Sequence, residues 1–275
     1  MELKRAVQAS ALVAAMAAST AALTSAAPAR HVEDTGLRTS VAAFLVRGEY
    51  VTPVRRIVPH TLAVAQAAVS AVLRGPTATE RKEGYFSAVP AGTLLRGISV
   101  SRGVATIDLS RRFESGGGSL SMQLRVAQMV YTLTQFSSVN SVTFRLDGRP
   151  VQSIGGEGVV VSRPVGRAEF EAQTPPILVE TPLPGDRVGA SILVNGTANV
   201  FEARLVVELV TPSGVLVARH NLLATAGTGT RGRFSTRISV HPPGGRLVIV
   251  AYAHSAKNGA RIDVVRIPVT VAPLP

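Results

Sequence analysis

The chain has 275 residues, enough for about two domains of ordinary size, and no cysteine, which excludes disulfides, thiolate metal sites, a Cys nucleophile and lipidation at a Cys. Apolar residues make up 46% and charged residues 17%, so real cores can form and a disordered chain is excluded. The net charge of +12 comes almost entirely from Arg, because Lys4, Lys82 and Lys257 are the only lysines.

Residues 1–29 have the pattern of a secretory signal. Lys4 and Arg5 form a positive start, Ala6 to Leu23 an Ala-rich apolar stretch, and Ser25, Ala26, Ala27 and Ala29 a small-residue cleavage region. Cleavage after Ala27 or Ala29 is the expectation. An uncleaved anchor is the alternative, weakened by Ser10, Ser19 and Thr20, since a spanning helix needs about 20 strongly apolar residues. Export places the protein in the cell envelope or outside it. Residues 30–40 read as a disordered mature N-terminus.

Residues 41–172 mix strands and helices. Val41 to Val46 and Tyr50 to Val58 predict two strands around Gly48, with Pro53 confining the second to an edge or a bulge. Thr61 to Arg74 predicts a helix capped by Thr61 and stopped by Gly75 and Pro76, with Leu62, Ala65, Val69, Val72 and Leu73 on its buried face. Residues 94–101 and 104–110 predict a hairpin turning at Arg102 and Gly103. A helix follows from Ser119 to about Phe136, with Met122, Val126, Met129, Val130, Leu133 and Phe136 as its stripe. Val142, Phe144 and Leu146 alternate as a strand ending at Asp147 and Gly148, and Val159 to Val161 form a last apolar run. This order implies an α+β domain with two helices on a small sheet.

Residues 173–176, with Thr174, Pro175 and Pro176, have the composition of a semi-rigid linker. Residues 177–275 show no helical period. Seven short apolar runs, beginning near Ile177, Ala190, Arg204, Val215, Gly232, Arg246 and Arg261, are separated by turn signals such as Pro184, Gly185 and Asp186. Seven strands in about 100 residues fit an immunoglobulin-like β-sandwich.

No constellation carries catalysis. Gly227 to Gly232 spells the dinucleotide fingerprint, but Phe234, Thr236, Ile238 and Val240 then alternate as a strand, where the motif needs a helix; a hairpin loop is the reading. His31, His60, His220, His241 and His254 lack ligand spacing, so neither metal nor cofactor is expected. Ser119 follows a glycine run without the flanking pattern of a nucleophile elbow. Asp108 and Asp147 sit at a strand and a turn. The sequon at Asn195 to Thr197 reads as a strand-end turn. Arg231, Arg233 and Lys257 fall in loops of the second domain and are singled out as a contact surface.

Several separated blocks resemble a known family. Ala71–Pro76, Val89–Thr93, Gly103–Ser110, Val126–Phe136 and Phe144–Gly148 resemble the GerMN domain of sporulation and spore germination proteins. Val194–Glu202, Gly227–Gly232 and Ser255–Val269 resemble the immunoglobulin-like domain of bacterial spore germination. The resemblance implies a fold like that of the ring-building domains of sporulation channels, and envelope work without catalytic residues. Lipoprotein members differ in having a lipidation Cys. The function expected is a non-enzymatic exported protein-interaction or scaffold module, sporulation- or germination-related, with another envelope protein or its own copies as partner. The alternatives are a binder of anionic cell-wall polymer or membrane surface, and an accessory regulator of an envelope sensor kinase or wall enzyme. Nucleic acid is not an expected partner, because export separates the protein from it.

Overall fold

The computed structural model describes residues 37–155, 158–241 and 244–272. The signal reading of residues 1–29 lies outside them, as does His31. Among the described residues no helix is long and apolar enough to cross a membrane. They belong to one compact unit that takes in both modules.

In the first module β1 (Arg38–Arg47) and β2 (Tyr50–Pro59) form an antiparallel hairpin, closed at Gly48 with φ +63°. Arg38–Ser40 thus open a strand, where disorder was expected. β2 is an edge strand, as Pro53 requires, because β1 lies between it and the two-residue β3 (Tyr85–Phe86). Helix α1 (Val64–Arg74) and the short α2 (Ala78–Lys82) lie between β2 and β3 in the chain. A second sheet contains β4 (Leu95–Ser101), β5 (Val104–Leu109), β6 (Ser141–Leu146) and β7 (Arg149–Pro150) in that order. β5 and β6 run parallel, so the connection between them must cross over, and it does so through α3 (Ser119–Leu133). A small hairpin of β8 (Ser153–Ile154) and β9 (Val159–Val160) follows. The α+β class holds, with the strands divided among two sheets and the β8–β9 hairpin, and one core running through them.

Two details of the helices differ from the sequence reading. α1 starts at Val64 without a side-chain cap: Thr61 Oγ1 accepts from the Ala63 N–H and stops short of the helix. Leu62 therefore precedes the helix and is 97% exposed instead of buried. α3 ends at Leu133, and from Leu124 onward every residue of it is buried, polar ones included. Beyond the short β3, the free edge of β1 is met by side chains of α3 and its exit. Gln135 accepts from Ala42 N and donates to Ala42 O, Thr132 accepts from Phe44 N, and Gln128 donates to Phe44 O. Spacing of i, i+4 and i+7 lets one helical face take the place of a missing strand.

The second module is a sandwich of two sheets. One contains β10 (Ile177–Thr181), β12 (Ser191–Ala198) and β15 (Gly232–Ser239). The other has the order β11 (Arg187–Val188), β17 (Arg261–Val271), β16 (Gly245–His254), β13 (Arg204–Val210) and β14 (Leu216–Leu223). The seven expected strands are present, and β11 adds a short parallel pairing to β17. Ile192, Val194, Val207, Leu209, Ile249 and Ile267 belong to the core between the sheets. The segment 227–232 leads from β14 in one sheet to β15 in the other, so it is an inter-sheet crossing and not a hairpin. The sequon Asn195–Thr197 lies inside β12, paired on both sides, and not in a turn.

Candidate functional site

The modules meet in a polar cleft of about 1100 Å³. One wall is the end of α3 and the start of β6, through Thr134, Gln135 and Asn140; the other is the outward face of β12 and β15, through Asn195, Thr197 and Ser235. Strand alternation explains the second wall. Ile192, Val194 and Ala198 point into the sandwich, so Asn195 and Thr197 face out.

Ion pairs cross the floor. Arg231 Nε donates to Glu171 Oε2 and its Nη2 to Glu171 Oε1, at 2.8 and 2.9 Å. The same Nη2 reaches the Pro175 carbonyl at 2.9 Å, and Asn199 Nδ2 donates to Glu171 Oε1. Arg167 pairs with Glu180 at 2.9 Å and lies 4.7 Å from the Tyr131 ring centre. Tyr131 and Thr174 share a buried hydroxyl hydrogen bond of 2.5 Å. The 173–176 segment is accordingly packed: Gln173 and Thr174 are buried, and Leu178 just beyond joins the core of the first module. Its proline content reads as a spacer; hydrogen bonds to its neighbours make it a joint.

This accounts for the three residues singled out by sequence. Arg231 is engaged inside the chain, with only 14% of its side chain exposed. Arg233 is exposed on β15 and lines the same cleft. Lys257 is exposed in the turn between β16 and β17 and does not line it. Sequence reasoning missed Glu171, Arg167 and Glu180, since isolated charges do not announce their partners.

Burial raises the pKa of Glu171, but hydrogen bonds from Arg231 and Asn199 and the Arg231 charge outweigh it and hold the carboxyl below its ordinary value of 4.5. A depressed folded pKa means that its stabilisation is complete above about pH 4.5 and is lost as pH falls through the lower folded value. Arg231→Ala is expected to cost about 2–3 kcal/mol, since it removes charge-assisted bonds at the joint. Glu171→Gln should flatten the acid limb of the stability curve below pH 4.5. Urea melts at pH 3.5 to 7 check both, and an unchanged acid limb in the Gln variant would rule out this role.

The cleft is lined by two carboxylates. Its carboxylates Glu171 and Glu180 are ion-paired with Arg231 and Arg167. The described histidines lie apart: His60 meets Thr39, His220 meets Thr236, His254 meets the Gly259 carbonyl, and His241 is exposed. Among the described residues no group of three His, Asp or Glu side chains is placed to hold a metal. Asp108 and Asp147 tie the end of β5 to the turn after β6, accepting from Gly148 N and Arg111 N respectively.

Residues 32–152 match the family described as Sporulation and spore germination, and residues 176–260 the one described as Immunoglobulin-like domain of bacterial spore germination. The first module is thus similar to that sporulation and spore germination family, and the second to that immunoglobulin-like family. Much of the joint, including Arg167, Glu171 and Thr174, falls between the two matched stretches. Among solved structures, the first GerMN domain of the sporulation protein GerM from Bacillus subtilis is 25% identical, over 47% of this chain and 98% of that one, with a TM-score of 0.41. The tandem GerMN domains of the same protein are 16% identical over 86% of this chain and 61% of that one, with a TM-score of 0.44. Comparison with curated proteins finds no match.

Proposed function

We propose that this protein is an exported, non-enzymatic component of the bacterial cell envelope that works as an interaction or scaffold module in sporulation or germination, associating through its germination domain with its own copies. Similarity to the two germination families supports the physiological setting. The observation that carries the interaction role is the open edge of β4. Among the described residues this strand has β5 on one side only, and Arg96 and Ser99 to Ser101 are exposed along it. Beside it lies a groove of about 670 Å³ whose lining includes Leu62, Ile98, Val100 and Phe136. An unpaired strand next to exposed apolar side chains is a template for strand addition, with backbone groups supplying affinity and side chains register. No proline guards β4, in contrast with Pro53 on β2.

Sedimentation of the full chain across a concentration series tests this reading. Wild type is expected to associate, and Val100→Lys to shift it to monomer with the melting temperature unchanged, because Val100 is 44% exposed. Strict monomer behaviour of wild type, together with no self-crosslink in the native cell, would overturn it.

A further inference from the structure

The outward face of the five-stranded sheet in the immunoglobulin-like domain holds a second polar constellation, separate from the cleft and from β4. Strand register places Arg219 of β14, Glu208 of β13, Val250 of β16 and Arg266 of β17 in one row. Glu208 is buried, with 3% of its side chain exposed. Its carboxylate accepts from Arg219 Nε at 2.8 Å, from Arg261 Nη1 and Nη2 at 3.0 Å each, and from the Tyr252 hydroxyl at 2.9 Å. Arg261 also stacks over the Tyr252 ring at 4.2 Å. Both Arg219 and Arg261 keep 48% of their side chains exposed. Arg266 makes no ion pair or side-chain hydrogen bond among the described residues.

All three arginines line a depression of about 180 Å³ in which Glu208 is the only acid and Val210, Val250 and Leu216 supply apolar wall. Glu208 neutralises one positive charge of three. It also fixes two arginines by fork-like contacts, so they are held in place before any ligand arrives. Each guanidinium has five N–H donors, and one carboxylate cannot occupy those of three arginines. A planar carboxylate ligand would be satisfied by one fork. The Arg266 fork and the N–H groups that Arg219 and Arg261 do not give to Glu208 border one depression, which fits a tetrahedral anion with oxygens on several sides.

We propose that this depression is a binding site for a phosphate group carried as a phosphodiester, with Arg219, Arg261 and Arg266 as ligating residues and Glu208 as the positioning residue that orders two of them. The apolar wall accommodates the carbon skeleton on either side of the diester. Lipid headgroups and phosphate-linked polymers share this chemistry. The site does not depend on β4, so self-association and anion binding can fail separately.

The test is titration of the full chain with inorganic phosphate at constant ionic strength, with chloride as reference, read at the arginine Nε–H resonances. Phosphate should move the signals of Arg219, Arg261 and Arg266 saturably, and chloride should not. Arg266→Gln should weaken binding at least about tenfold, a loss of one charge-assisted contact. Arg233→Gln, which removes the same charge at the cleft, should leave it within about twofold if the site and not net charge decides. Glu208→Gln makes the surface more positive, so simple attraction predicts tighter binding, whereas a positioning role predicts weaker binding. Phosphatidylglycerol vesicles diluted in phosphatidylcholine and a soluble glycerol-phosphate oligomer then distinguish lipid from polymer. Equal response to phosphate and chloride, an unaffected Arg266→Gln variant, tighter binding by Glu208→Gln, or binding of inorganic phosphate with neither diester would each overturn the proposal.

Discussion

Arg125→Ala is expected to destabilise the first module by about 4 kcal/mol, a fall in melting temperature of about 8–16 °C for a protein of this size. Arg125 sits on α3 and is only 2% exposed, yet among the described residues no carboxylate pairs with it. Its guanidinium instead collects carbonyls: Nε donates to Ala88 O at 3.1 Å, Nη1 to Phe113 O at 2.5 Å and to Ser115 O at 3.3 Å, and Nη2 to Gly116 O at 3.0 Å. Burial pushes its pKa down, but guanidinium stays charged at any physiological pH. The carbonyl dipoles therefore do the work of a counter-ion, and two loops are folded around one side chain. Truncation leaves those acceptors without a donor and opens a cavity. Arg125→Lys keeps the charge but presents a single ammonium that cannot reach carbonyls spread over residues 88 to 116, so it should recover less than half of the loss. Thermal melts of the three proteins decide this. A loss below about 1 kcal/mol for the Ala variant would mean that water replaces the guanidinium, and that the loops hold themselves.

Gly196→Ala carries the second large effect, expected at about 3–5 kcal/mol. Gly196 lies in the middle of β12, between Val179 of β10 and Phe234 of β15. A Cβ there would stand 2.0 Å from the Leu178 carbonyl oxygen and 3.0 Å from the Phe234 ring. The first of these is backbone, so no rotamer change relieves it, and β10 has to move away from β12. Leu178 belongs to the core of the first module, which ties the displacement to the joint. Hydrogen exchange should show loss of protection at Asn199 N, whose bond goes to the Pro176 carbonyl, together with residues of β10. A variant that melts like wild type would show that the two strands are less tightly set than these contacts require.

The helix α3 shows where sequence patterns stop being informative. Met122, Val126, Met129, Val130 and Leu133 form the buried stripe that helical spacing predicts. Gln128 and Thr132 are not part of that stripe, and both are fully buried. Their burial depends on the bare edge of β1, more than 80 residues away in the chain, whose unpaired groups need partners. Leu62 errs in the opposite direction, because a helix start shifted by one turn moves a residue from core to water. The linker follows the same logic. Proline content is a local property, while the burial of Thr174 is decided by Tyr131, and Pro175 is engaged by Arg231.

Local chemistry, written into neighbouring residues, settled the two-module order, the strands of the sandwich, the Arg102–Gly103 and Asp147–Gly148 turns and the edge position of β2, because alternation, turn residues and proline act within a few positions. Only the tertiary structure decided which charges meet. Arg231 finds Glu171, Arg167 finds Glu180, and Glu208 gathers Arg219 and Arg261 from strands on either side. An ion pair is a relation between distant chain positions, and a side chain's identity carries its charge but not its address.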